Sequence, residues 1–275
     1  MTPLTALAIL LFATFVLLWL TQTAVLLASG ERVAPLLRYQ TDKRLVVVTM
    51  KVMVQLGWLL IIVGYPLLLG KNPVAFYQGA FALPAPWRPM LLMVLATISG
   101  FALINLIHYQ FNAIGFSMRF SAAKTRRRLL GCFLTPIPLA ILEEAVFRGV
   151  VLHALLRHLS GAGGIATAIV VSSLLFSLIH FVRKRDERRK PVLQPAIGLF
   201  FVGVVLGTAY VAGGQTLWLP VATHAAGILA TELPRSFVEY KASPRRIGYR
   251  SFPHSGPLGV LLMLFLTWLV WHLTH

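Results

Sequence analysis

The chain has 275 residues, of which 57% are hydrophobic and only 12% charged, with a mean hydropathy of +0.78. Soluble domains run near ~45–50% apolar and ~25% charged, so this composition excludes a soluble globular protein. The 25 Lys and Arg against 8 Asp and Glu would suggest nucleic acid in a soluble chain. Here the basic residues are confined to connections between apolar stretches, and no nucleic-acid partner is expected. The single cysteine, Cys132, excludes an intrachain disulfide and a cysteine-based metal cluster.

Apolar stretches near membrane-spanning length recur from end to end. They fall at about 4–28, 46–69, 89–110, 129–158, 164–182, 195–212, 214–233 and 257–273. The expected fold class is therefore all-α: one integral membrane domain, residues 1–275, of about eight transmembrane helices. It divides into three N-terminal spans (1–128), a core of four spans (129–233), and a basic loop with the last span (234–275). The first stretch has no basic flank and is longer than a secretory core, so it is read as a retained helix. Pro84, Pro86 and Pro89, and the glycines of Gly161-Ala-Gly-Gly164, mark breaks between spans, and Gly213-Gly214 makes the tightest turn.

The loops sort by charge. Twenty of the 25 basic residues lie on the first, third, fifth and seventh connections, among them Arg32, Arg38, Arg119, Arg126, Lys184, Arg188, Arg235 and Arg245. The even connections hold only Lys71, Arg88 and Arg157. By the positive-inside rule the odd loops are cytoplasmic and both termini lie outside. The basic loops are expected to attract anionic lipid, at about 1 kcal/mol per residue near the surface. Lys51, just inside its span, can snorkel to the headgroups.

Within the spans polar residues are few, and three stand together in the fourth: Glu143, Glu144 and Arg148. Each ionisable group costs about 2.5–3.5 kcal/mol to insert on translocon scales, and such groups normally face a protein interior or a wet cavity. On a helix Glu144 and Arg148 lie one turn apart on one face and can pair. Glu143 is rotated about 100° from that pair, a position that suggests chemistry. His180 closes the fifth span and His224 lies in the middle of the seventh. A histidine alone is more often a packing residue than a catalyst, and an isolated Glu–Arg pair is as often structural. Their combination is what points to a site. Were the fourth span to begin at Leu129, Glu143 would lie about 21 Å deep, out of reach of His180. Pro136 and Pro138 favour a crossing that starts there instead, which brings Glu143 to about 8 Å from the inner edge. Residues 129–137 then form a re-entrant or interfacial segment.

The run Glu143-Glu144-Ala-Val-Phe147-Arg148-Gly149 resembles the first motif of the CPBP family of intramembrane proteases, the CAAX-prenyl-protease, bacteriocin-processing and abortive-infection group. Phe176 with His180 is similar to its second motif and His224 to the start of its third; the resemblance covers about residues 138–232. It implies an intramembrane glutamic endopeptidase that cleaves membrane-associated proteins or peptides with activated water and no covalent intermediate. Glu143 would be the general base, His180 would help to hold and activate the water, and His224 would stabilise the oxyanion. Glu144 and Arg148 would orient the helix and substrate, with Phe147 and Phe176 lining the site. The family's third motif usually has Asn four residues after its His, where this chain has Ile228. Loss of one oxyanion donor typically slows turnover by about 100–1000-fold. Thr231, on the same helix face, is a candidate substitute.

Two Glu and two His could ligate zinc, yet no His-x-x-x-His or His-Glu-x-x-His pair exists. No cofactor is expected, and the metal-free mechanism is favoured over zinc. A weak or inactive scaffold on the same fold is the alternative that Ile228 favours; a proton-coupled transporter ranks lower, since paired broken helices are missing. The expected location is a bacterial inner membrane, and the substrate is not legible. His108, His153, His158, His254, His272 and His275 are read as packing, interfacial or tail residues.

Overall fold

The structure is a computed structural model, and it describes residues 1–36, 41–83, 85–117, 122–183, 193–243, 247–248 and 253–274. Of the basic loop residues, Arg38, Arg119, Lys184, Arg185, Arg188, Arg189, Lys190, Arg245, Arg246 and Arg250 lie outside the described residues, as does His275. Helices come in the order α1 (Pro3–Ala28), α2 (Arg44–Leu68), α3 (Pro73–Ala80), α4 (Trp87–Gln110), α5 (Ala122–Leu134) and α6 (Pro136–Val146). A six-residue π-helical turn (Phe147–Leu152) then runs into α7 (His153–Leu156). The order closes with α8 (Gly161–Arg183), α9 (Leu193–Ala212), α10 (Trp218–Glu232) and α11 (Pro257–Thr274).

Among the described residues seven helical stretches are long and apolar enough to cross a membrane, and the chain is an integral, multi-pass membrane protein with an all-α bundle. The eighth expected span, 214–233, corrects to a shorter helix. Gly214 and Gln215 both take positive φ (72° and 60°), so the turn holds the chain out of helix until Trp218. The 15 residues of α10 reach about 22 Å, against the ~30 Å of a bilayer core. A second departure is a small antiparallel strand pair, β1 (Ile114–Phe116) with β2 (Val238–Tyr240), which ties together the third and seventh connections.

Lipid-facing and packed helices separate by burial. In α9, 56% of the apolar window is buried, against 22% in α1, α4 and α11, so α9 is the innermost span. It is built for close approach: a Cβ on Gly203 would come within 2.8 Å of the Ser173 backbone on α8, and one on Gly198 within 2.7 Å of the Ser255 backbone. The outer helices present large apolar side chains outward, among them Phe12, Leu60, Leu103 and Phe265. Of the tryptophans, Trp19, Trp87, Trp268 and Trp271 are exposed, whereas Trp58 is buried edge-on against Phe147.

The fourth span is three pieces of helix. It breaks at Thr135, and α6 opens with Pro136 in its first turn, where a missing N–H goes unfelt. The wide turn at Phe147–Leu152 then leaves backbone carbonyls out of the usual ladder. Ser172 on α8 catches one of them, its hydroxyl donating to the Phe147 carbonyl at 3.2 Å.

Candidate active site

The end of α6 carries Glu143 and Glu144, and the π turn carries Phe147 and Arg148; all four side chains are buried. Arg148 is wholly enclosed. Its Nη1 donates to Glu144 Oε1 at 3.1 Å and its Nη2 to the Gly203 carbonyl on α9 at 2.9 Å. The guanidinium also lies over the Phe176 ring, 5.0 Å from its centroid. Burying an ion pair is favourable only when the remaining polar atoms are met. That condition is fulfilled in part, because Arg148 Nε and Glu144 Oε2 have no hydrogen-bond partner among the described residues.

Glu144 has a second task. The same Oε1 accepts from Nδ1 of His224, 2.7 Å away. With Nδ1–H committed to the carboxylate, Nε2 is the nitrogen turned toward Glu143, at 3.7 Å from its Oε2. His180 is held the same way by a different group. Its Nδ1 lies 2.8 Å from the Phe176 carbonyl, which can only accept, so Nδ1 carries the proton and Nε2 the lone pair. That Nε2 is 3.4 Å from Glu143 Oε2. Phe176 packs on the His180 ring at 4.3 Å and edge-on to His224 at 6.0 Å.

Two imidazoles on different helices thus point an Nε2 at one carboxylate oxygen, each with its other nitrogen pinned. The separations exceed a good hydrogen bond, yet one water at ~2.8 Å from each group could touch all three. These groups line a cavity of about 430 Å³, within the usual range for a ligand pocket. Ile228 and Thr231 line it too. The Thr231 hydroxyl donates to the Gly227 carbonyl on its own helix at 2.9 Å, so serving an oxyanion would require it to turn away from that bond. Ile228 offers the cavity only an apolar side chain.

Of the residues singled out in the sequence, Glu143, Phe176, His180, His224, Ile228 and Thr231 line this cavity. Phe147, expected to line it, instead packs behind Phe176, and Glu144 and Arg148 sit behind His224 and Phe176. Others reach the cavity as well. His254, assigned to packing, lines the cavity from the 3-10 turn before α11, as do Thr97 on α4, and Thr223 and Glu232 on α10. Gly203 had no polar side chain to draw attention, and only its carbonyl takes part. For His254 no periodic signal existed, because it sits in a connection. Among the described residues no group of three or more His, Cys, Asp or Glu is disposed to hold a metal ion.

Fold and site define a multi-pass membrane protein with a buried acid between two oriented imidazoles. Residues 125–228, from α5 to the middle of α10, match the family model described as Rce1-like, type II CAAX prenyl endopeptidase. Over that segment the chain is similar to a peptidase family of the CAAX-processing kind, which supports the resemblance to the CPBP intramembrane proteases. No curated protein and no solved structure matches it. The matched segment contains Glu143, Glu144, Arg148, Phe176, His180 and His224, and its last residue is Ile228.

Proposed function

We propose that the chain is an intramembrane glutamic endopeptidase that hydrolyses a peptide bond of a membrane-associated protein or lipidated peptide near the cytoplasmic face. The observation that carries this reading is Glu143 Oε2 at 3.4 and 3.7 Å from the Nε2 atoms of His180 and His224. Water held between Glu143 and His180 loses a proton to the Glu143 carboxylate as its oxygen attacks the carbonyl carbon. His224, its Nδ1–H held by Glu144, can donate from Nε2 to the oxygen that gains charge only when both ring nitrogens carry a proton, and the scheme requires that form. Collapse of the tetrahedral adduct breaks the C–N bond, and the proton on Glu143 passes to the departing amine. Arg148 holds Glu144 in place, and so acts on the reaction through His224. No metal is required in this scheme.

The proposed setting is a bacterial inner membrane with the odd loops and the cavity on the cytoplasmic side. Anionic lipid gathers at the basic loops, and nucleic acid is not a partner. A second reading rests on Ile228: with an apolar side chain in the oxyanion wall, the same fold would serve as a weakly active or inactive membrane scaffold. One experiment separates the two. Tagged candidate substrates are co-expressed with wild type or Glu143→Gln, and product masses are compared with and without a chelator. Products that vanish in Glu143→Gln and persist with the chelator support the glutamic peptidase; identical products from both chains overturn it. A Glu143→Gln chain that still complements a deletion supports the scaffold.

A further inference from the structure

A second cavity of about 530 Å³ lies at the opposite end of the α6–α7 segment and is built from different chemistry. Its wall includes Lys71, Asn72, His153, Arg157, Tyr210 and Gln215, and none of the residues lining it is acidic. The charge pattern makes this notable. The three connections at 70–86, 157–160 and 213–217 contain no Asp or Glu, and two of their basic residues, Lys71 and Arg157, meet in this one cavity. Neither is in an ion pair among the described residues. Both share the cavity wall with His153.

The other polar groups present donors. The Asn72 carboxamide oxygen is used up capping α3, accepting from the N–H groups of Val74 and Ala75, so its NH₂ is what remains. Tyr210 brings a hydroxyl. Behind the wall, the hydroxyls of Tyr65 and Tyr77 are buried without a hydrogen-bond partner among the described residues. Burial pushes the Tyr77 hydroxyl above its ordinary range, so it stays a donor. Gln215 enters the wall with φ of 60°, a conformation that a non-glycine residue adopts at a cost of about 1–2 kcal/mol and that clusters at ligand sites.

The geometry points to a binding site for a phosphate-bearing anion, a lipid headgroup or a free phosphate, held between Lys71 and Arg157. The cations supply charge-assisted donors to the phosphate oxygens, and the amide and phenol groups complete the shell. Volume is ample for a glycerophosphate. Gly149 of the π turn also lines the cavity, one residue from Arg148, so an occupant would rest against the turn that positions Glu144.

The test uses the purified full-length chain in neutral detergent and a fluorescent short-chain phosphatidylglycerol, competed with phosphatidylcholine, glycerol phosphate or inorganic phosphate. The expected result is saturable binding that weakens about tenfold or more in Lys71→Gln/Arg157→Gln. Arg32→Gln/Arg44→Gln, which removes equal charge from exposed positions elsewhere, should leave it within about twofold. Lys71→Arg/Arg157→Lys, which keeps both charges, should retain it. Competition by glycerol phosphate and inorganic phosphate marks a free anion as sufficient; competition by lipid alone marks the headgroup in its membrane setting. Absence of saturable binding, or equal weakening in the two charge-removed variants, overturns the site.

Discussion

The two flanks of the α6 terminus are one residue apart in sequence and opposite in character. On the Glu144 flank everything is closed: an arginine with no exposed surface and the inner nitrogen of His224 converge on one carboxylate, and a backbone carbonyl from α9 holds the arginine. On the Glu143 flank, the carboxylate faces a 430 Å³ cavity and lies 3.4 and 3.7 Å from two imidazole nitrogens, so that one water on the cavity side could touch all three. Two adjacent glutamates thus divide the work. In the proposed mechanism Glu144 belongs to the architecture and Glu143 to the reaction, and the rigidity of the first keeps the second in register.

That division can be broken from either side. Glu143→Gln keeps shape and removes the base, so peptide cleavage should fall by about 100–10,000-fold while the thermal midpoint in detergent stays where it was. A midpoint that drops with activity would assign Glu143 to the architecture as well. Arg148→Ala strikes the closed flank and leaves Glu144 buried without its partner; the expected loss is about 3–5 kcal/mol of stability, read as loss of folded protein on gel filtration. Gly203→Ala forces a methyl against the Ser173 backbone at 2.8 Å, prising α9 from α8 beneath Arg148. It should cost about 1–3 kcal/mol, seen as a lowered unfolding midpoint. The smallest effect sharpens the open flank. Ile228→Asn adds an amide donor to the cavity wall and should raise kcat about tenfold with little change in KM; an unchanged rate would mean that the missing donor is supplied elsewhere.

Much of this was legible before any coordinates. The Glu–Glu–x–x–x–Arg spacing contained the ion pair, and the prolines at 136 and 138 contained the break that lifts Glu143 into reach of His180. Charge alternation counted the spans well except at α10, where the stretch read from residue 214 winds into helix only at Trp218. The role of Glu144 was only half visible. Its bond to His224 joins residues 80 positions apart, and no local pattern encodes which carboxylate a distant imidazole will choose. The π turn was invisible for a related reason, since Phe-Arg-Gly-Val-Val-Leu is ordinary helical sequence and only the tertiary partners of Phe147 and Arg148 favour the wider winding. His254 and the β1–β2 pair arise in connections, where periodicity says nothing.

The wide winding at 147–152 has a consequence for how this segment tolerates change in length. A π turn accommodates about one residue more than the α turn it replaces, so dropping either Val150 or Val151 would let the stretch relax to ordinary helix without a gap. The relaxed form would restore the local hydrogen bonds while swinging Arg148 out of line with the Gly203 carbonyl, or α7 out of line with its neighbours, by about 100°. Here the chain is sensitive to arithmetic before it is sensitive to side-chain identity: a shortening by one is locally painless and globally ruinous.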